Sequence, residues 1–144
     1  MSNNESTKYF DLHTNGIGYI HRLRKVEPKR GDGFYAVSIS ALHGQIDDPL
    51  YSRFDCRITG AEAEKRLLAL KGAIEADKPV LVGFKIGDIY PEAFEYRSGD
   101  KQGQTGCVIK GRLLQIRWAK IDGEHVFAEE EPHGDPRPAP QTTA

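Results

Sequence analysis

Basic and aromatic side chains interleave along this chain, and that pairing suits one kind of chemistry, the gripping of a nucleic-acid strand. Tyr19, Phe34, Tyr35, Tyr90, Phe94, Tyr96 and Trp118 are interspersed with Arg22, Arg24, Lys85, Lys110, Arg112, Arg117 and Lys120. Single strands are held by cations that track the phosphates and by flat rings on which bases stack. Each stacked base contributes about 1–3 kcal/mol whatever its identity. The candidate binding set is Tyr19, Arg22, Arg24, Phe34, Lys85, Tyr90, Phe94, Tyr96, Lys110, Arg112, Arg117 and Trp118. Core packing is the competing use of every ring, and a basic strand face is often no more than a solvated face.

The charge is unevenly spread. The chain carries a net charge of −1. From Glu129 to Ala144, Glu129, Glu130, Glu131 and Asp135 stand against Arg137, a net of −3, so the rest carries +2. One basic stretch holds Arg22, Arg24, Lys25, Lys29 and Arg30 against Glu27; a second holds Lys110, Arg112, Arg117 and Lys120. Basic strands beside an acidic tail fit a groove that meets phosphates.

Other chemistries find little footing. There is no GxSxG, phosphate loop, HExxH or dinucleotide-binding glycine motif, and Gly16-Ile17-Gly18 lacks the helix such a motif needs. His13, His21, His43, His125 and His133 lack ligand spacing, and Asp47-Asp48 reads as a turn. Cys56 and Cys107 form no CxxC pair and read as reduced, buried small residues. The expectation is a protein that is not an enzyme and takes no cofactor and no metal.

The elements that must position the candidate residues follow from periodicity. Residues 16–26 read as a strand with Ile17, Tyr19 and Leu23 inward and Arg22 and Arg24 outward. Phe34 to Leu42 alternates apolar and small residues as a second strand, with residues 43–49 as a loop. Tyr51 to Ile58 is a third, with Phe54, Cys56 and Ile58 inward and Arg53, Asp55 and Arg57 outward. Thr59-Gly60-Ala61-Glu62 fits a capping box, and Ala63, Leu67, Leu70 and Ile74 form a helical stripe that ends at Asp77-Lys78-Pro79. Val80 to Ile86 is a short fourth strand, 88–96 an extended arm, 98–106 a mobile loop and 107–121 a long fifth strand. Asp122-Gly123 then turns the chain back through His125-Val126-Phe127.

Three strands, a helix and two strands is the order of a mainly β, five-stranded OB-fold barrel with one α-helix between strands 3 and 4. The expected organisation is a disordered N-terminus over 1–7, the barrel over 8–128 and a disordered acidic, Pro-rich tail over 129–144. The polar start Met1-Ser2-Asn3-Asn4-Glu5 does not read as a signal peptide. No apolar run is long enough to span a membrane, so the expected location is the cytoplasm.

Several segments carry a family resemblance: Lys8-Tyr9-Phe10-Asp11-Leu12-His13, Gly16-Ile17-Gly18-Tyr19, Arg53-Phe54-Asp55, Gly83-Phe84 with Gly87-Asp88, and Lys110-Gly111-Arg112-Leu113 with Trp118. The chain resembles, over roughly 8–127, a family of replication proteins of bacterial integrating conjugative elements that long carried a domain-of-unknown-function label. The resemblance implies a bacterial cytoplasm and a role in replication or maintenance of a mobile genetic element. The element order is also similar to bacterial single-stranded DNA-binding protein, often a tetramer. That family ends in an apolar Pro-Phe tip, whereas this chain ends Pro140-Gln141-Thr142-Thr143-Ala144, so recruitment of partners by that route does not carry over.

The reading that results is sequence-tolerant binding of single-stranded DNA, with a homo-oligomer (dimer or tetramer) and replication proteins as further expected partners. The alternative is an OB-fold interaction or oligomerisation module that docks through Tyr90, Phe94 and Tyr96 without touching DNA. A continuous basic groove on one barrel face favours the first; scattered cations and an apolar patch favour the second.

Overall fold

A computed structural model describes residues 10–127. The expectations for 1–7 and 129–144 lie outside the described residues.

Alternating apolar residues build six strands: β1 (His13–Val26), β2 (Phe34–Gln45), β3 (Asp48–Ile58), β4 (Val80–Glu95), β5 (Thr105–Ile121) and β6 (Glu124–Phe127). Each strand is next to its barrel neighbours in the cycle β1–β2–β3–β5–β4–β1, and β6 pairs with the C-terminal end of β5, past the stretch that pairs with β3. Every pairing is antiparallel except β3 with β5, which is parallel and closes the barrel. Closure pairs the edges an open sheet would expose. The interior is filled by Ile20, Val37, Ile39, Phe54, Cys56, Val82, Phe84, Ile86, Leu113 and Ile116, all buried. This is the expected OB-type barrel.

Between β3 and β4 the chain forms α1 (Ala61–Ala69) and α2 (Lys71–Glu75), a single helical segment broken at Leu70. Ala63, Leu67, Leu70 and Ile74 are buried against the barrel, as their spacing predicts. Arg66 fastens α1 to the barrel: its Nη1 donates to the carbonyls of Ile116 (3.0 Å) and Arg117 (2.9 Å). Its guanidinium also lies 4.7 Å from the centroid of the Phe127 ring. The segment ends as Asp77 turns left-handed, with its N–H on Ile74 and that of Lys78 on Ala73, a Schellman-type stop ahead of Pro79.

The capping box does not form. Gly60, at φ 100°, is the N-cap residue, and no side chain caps the helix. The Thr59 N–H instead donates to the Leu113 carbonyl at 3.0 Å, which continues the pairing of β3 with β5. That pairing holds the Thr59 hydroxyl away from the helix, buried and without a partner.

Other expectations are corrected by bulges and hairpins. In β1, Ile20 is inward and Ile17 is 44% exposed, the reverse of the expected phase. The cause is a bulge: His21 to Arg24 oppose only Ser38 to Ala36, with Arg22 at φ 55°. An extra residue shifts a period-two pattern by one, so Ile20 and Leu23 both pack toward the core although they are three apart. Residues 43–49 are no open loop; β2 and β3 stay paired to Gln45 and Asp48. β4 is not short: the strand and the expected arm are continuous through a bulge at Asp88, also at φ 55°. Residues 96–104 form a turn closed by backbone bonds, among them Tyr96 N–H to Gln104 (2.9 Å) and Gly103 N–H to Tyr96 (2.8 Å). Cys56 is buried, but Cys107 is exposed because it lies on the β4–β5 hairpin, where it pairs with exposed Ala93.

The two cap positions are separable by mutation. Replacing Thr59 by Val should stabilise the fold by about 1 kcal/mol, because it removes the desolvation penalty of a buried hydroxyl without a partner. Gly60→Ala forces a side chain into a glycine conformation and should cost about 1–3 kcal/mol. Urea denaturation followed by the fluorescence of Trp118, the one tryptophan, measures both.

Candidate functional site

The outward face of β1–β2–β3 is built in rows. His21, Ser38 and Asp55 lie opposite one another, and Arg24, Ala36 and Arg57 form the next row. The bulge at Arg22 aims Arg24 into this face. Parallel pairing then places Asp55 of β3 beside Lys110 of β5, and Arg57 beside Arg112. Two chain segments more than fifty residues apart thus supply one surface.

That surface is a groove made of two adjoining depressions. The first, about 600 Å³, is bordered by Arg24, Phe34, Arg57, Tyr90, Lys110 and Arg112, with Ala36 among its lining residues. The second, about 380 Å³, lies between Arg22 and Arg53 on one side and Phe94, Tyr96 and Lys110 of the β4–β5 hairpin on the other. They share Asp55 and Lys110. Six cations line the groove (Arg22, Arg24, Arg53, Arg57, Lys110 and Arg112) against three carboxylates, Asp55, Asp88 and Glu92. The groove is therefore positive on a chain whose total charge is slightly negative.

Asp55 is its electrostatic centre. Oδ1 accepts from Arg24 Nη2 at 2.7 Å and Oδ2 from Lys110 Nζ at 3.0 Å. Looser pairs sit to the side, Arg112 Nε to Asp88 at 3.3 Å and Lys110 to Glu92 at 4.0 Å. Burial pushes the Asp55 carboxyl up, but the hydrogen bonds and charges of Arg24 and Lys110 outweigh it and hold the pKa below the usual 3.8. The hydrogen bond to Asp55 outweighs burial at Lys110 and raises its pKa. His21 is shifted down by burial and by the charges of Arg53 and Arg22, and shares a 3.0 Å hydrogen bond with Ser40. Burial, with the Asp55 charge, raises the Cys56 thiol to about 12, which makes it inert as a nucleophile.

Three kinds of aromatic surface meet the groove. Phe34 carries the Arg57 guanidinium 4.1 Å above its ring. Tyr90 is 52% exposed at the rim. Phe94 and Tyr96 pack edge to face at 5.0 Å, seated on Gly106, where a Cβ would come within 2.6 Å of the Phe94 ring.

The sequence-derived set is thus partly gathered. Arg24, Phe34, Tyr90, Lys110 and Arg112 line the first depression; Arg22, Phe94 and Tyr96 join Lys110 at the second. Tyr19, Lys85, Arg117 and Trp118 lie outside both. Trp118 sits across β4 against Gly83, where any Cβ would strike the indole, with His125 at 6.4 Å. Arg53 and Arg57 were missing from the set, although their alternation with Phe54, Cys56 and Ile58 already puts them on the outward face. Among the described residues, no group of His, Cys, Asp and Glu is arranged to hold a metal, and no helix is long and apolar enough to cross a membrane.

A carboxyl whose pKa is lower folded than unfolded stabilises the fold above the unfolded value, and that contribution is lost as pH falls through the folded value. Acid unfolding of the chain should therefore steepen below about pH 4. Asp55→Asn should show a shallower loss over the same range in a series of denaturation curves from pH 6 to 2.

Neither the curated proteins nor the solved structures contain a match to the chain. A family model described as a protein of unknown function, DUF3577, matches residues 3–134. That match takes in the whole barrel and every residue of the groove, and the chain belongs to the DUF3577 family.

Proposed function

We propose that the protein binds single-stranded DNA, with little regard for sequence, along the groove between the β1–β3 face and the β4–β5 hairpin. The observation that carries this reading is the gathering of six cations and four aromatic rings around two adjoining depressions that share Asp55 and Lys110. Cations spaced along a groove meet successive phosphates, and the rings beside them offer faces to unpaired bases. OB barrels bind oligonucleotides on this same side, the face of strands 2 and 3 flanked by the loop between strands 4 and 5. The resemblance to replication proteins of integrating conjugative elements supplies a context, replication or maintenance of a mobile element in a bacterial cytoplasm.

The rival reading, a module for protein contact or self-association, is expected from the sequence to dock through Tyr90, Phe94 and Tyr96, which line the groove; the apolar exposure that favours it lies elsewhere. Ile46, Leu50 and Tyr51 on the β2–β3 hairpin are 97%, 58% and 57% exposed. These residues line neither depression, so the two readings respond to different substitutions.

Fluorescence anisotropy with a labelled oligo-dT tests the proposal. Binding should fall steeply with salt, with a log–log slope of about −3 if four cations meet phosphates. Tyr90→Ala and Phe34→Ala should each weaken binding by about 5- to 150-fold, the loss of one stacked base. Trp118→Ala, away from the groove, should change it less than about twofold by the same stacking argument. Absence of binding by micromolar protein at low salt refutes the proposal. Self-association seen by sedimentation and lost through Leu50→Ser and Tyr51→Ser, in a chain that does not bind oligo-dT, moves the function to the hairpin.

A further inference from the structure

We propose that Asp55 is the groove's resident substitute for a phosphate, an internal anion that an incoming strand must displace from Arg24 and Lys110. The inference rests on the single-strand reading above and names how that site is regulated and what it rejects. Asp55 presents two oxygens to two different cations, Oδ1 to Arg24 at 2.7 Å and Oδ2 to Lys110 at 3.0 Å. The two non-bridging oxygens of a phosphodiester can make the same pair of contacts. The carboxylate lies where the two depressions meet, so a strand that runs through both must pass it. Its side chain is 18% exposed, against 39% for Asp88 and 50% for Glu92. The other two acids lie at the margins with longer contacts, whereas Asp55 is fixed at the centre.

The consequence is a discrimination by ligand size. A lone phosphate that displaced Asp55 would replace one anion by another and gain little. A strand that displaces it also reaches Arg22 and Arg53 on one side and Arg57 and Arg112 on the other. Several phosphates acting together offset the displacement; one does not. Asp55 thereby keeps inorganic phosphate and mononucleotides from filling the groove while leaving a polyanion free to enter.

The test compares the full chain with its Asp55→Asn variant by anisotropy on labelled oligo-dT, across a salt series and with inorganic phosphate as competitor. The variant should bind several-fold tighter at low salt. Its log–log salt slope should stay within about 0.7, one contact, of the unmodified chain's, because a strand that has displaced Asp55 meets Arg24 and Lys110 in both. Inorganic phosphate should displace the oligonucleotide from the variant at lower concentration than from the unmodified chain. Equal or weaker binding overturns the inference and makes Asp55 a residue that positions Arg24 and Lys110; a slope steeper by about 1.4 overturns it too, because the strand would then leave both Asp55 pairs intact in the unmodified chain. A second measurement needs no substitution: the side-chain carboxyl carbon resonance of Asp55 should shift on saturation with oligo-dT, and an unmoved resonance overturns the inference even if the variant does not fold. Failure of the unmodified chain to bind oligo-dT overturns the binding reading itself and this inference with it. Binding that ignores Asp55 overturns the inference alone.

Discussion

The parallel pairing of β3 with β5 is the constraint on which the molecule depends. It is the one join in the cycle that is not antiparallel, and it links strands separated by both helices and all of β4. Without it the sheet would be open, with β3 at an unpaired edge. With it, the interior is sealed, Thr59 is fixed by the Leu113 carbonyl, and Gly60 becomes the point at which the chain must turn into α1. The same join places the outward side chains of β3 and β5 next to each other. The register that closes the barrel therefore also assembles the groove, setting Asp55 beside Lys110 and Arg57 beside Arg112.

Local pattern made the fold largely legible. The period-two runs of β2 and β3 and the stripe Ala63, Leu67, Leu70 and Ile74 identify their inward faces directly, because each pattern stays uninterrupted across its element. Where the pattern is interrupted, sequence reasoning loses phase. Arg22 and Asp88 take left-handed conformations without being glycine, so no residue type announced the bulges, and Ile17 and Ile20 exchanged roles. Thr59 had the right chemistry for a cap and the wrong partner, because a long-range backbone bond outcompeted a local side-chain one. The groove was half legible. Arg24 and Lys110 were visible as members of basic stretches, but their common partner Asp55 was not, since the pairing of residues 55 and 110 is a property of closure. Trp118 reads as a stacking candidate because it alternates with Arg117 on a basic strand, and the space above Gly83 that receives it exists only in three dimensions.

The groove is a balanced device more than a simply basic one. A surface of six uncompensated cations would repel itself and attract any anion. Here the central carboxylate and two marginal ones pair with part of that charge, and the remainder is spread along a line. Small residues matter as much as charged ones. Ala36 lies between Arg24 and Arg57 in its row, and Gly106 seats Phe94 and Tyr96. Larger side chains at either place would fill the depression or lift the aromatic pair. The affinity and selectivity of such a surface are set by spacing, and the spacing is set by register.

The unequal fates of the two cysteines have a practical consequence. Cys56 is sealed in the barrel with its thiol raised to about 12, while Cys107 stands exposed in the second depression, on the hairpin that borders the groove. A maleimide fluorophore or spin label offered to the native chain will therefore attach at one place, beside the channel, without any engineering of the sequence. The molecule comes with its own reporter position, and whatever enters the groove can be followed from there.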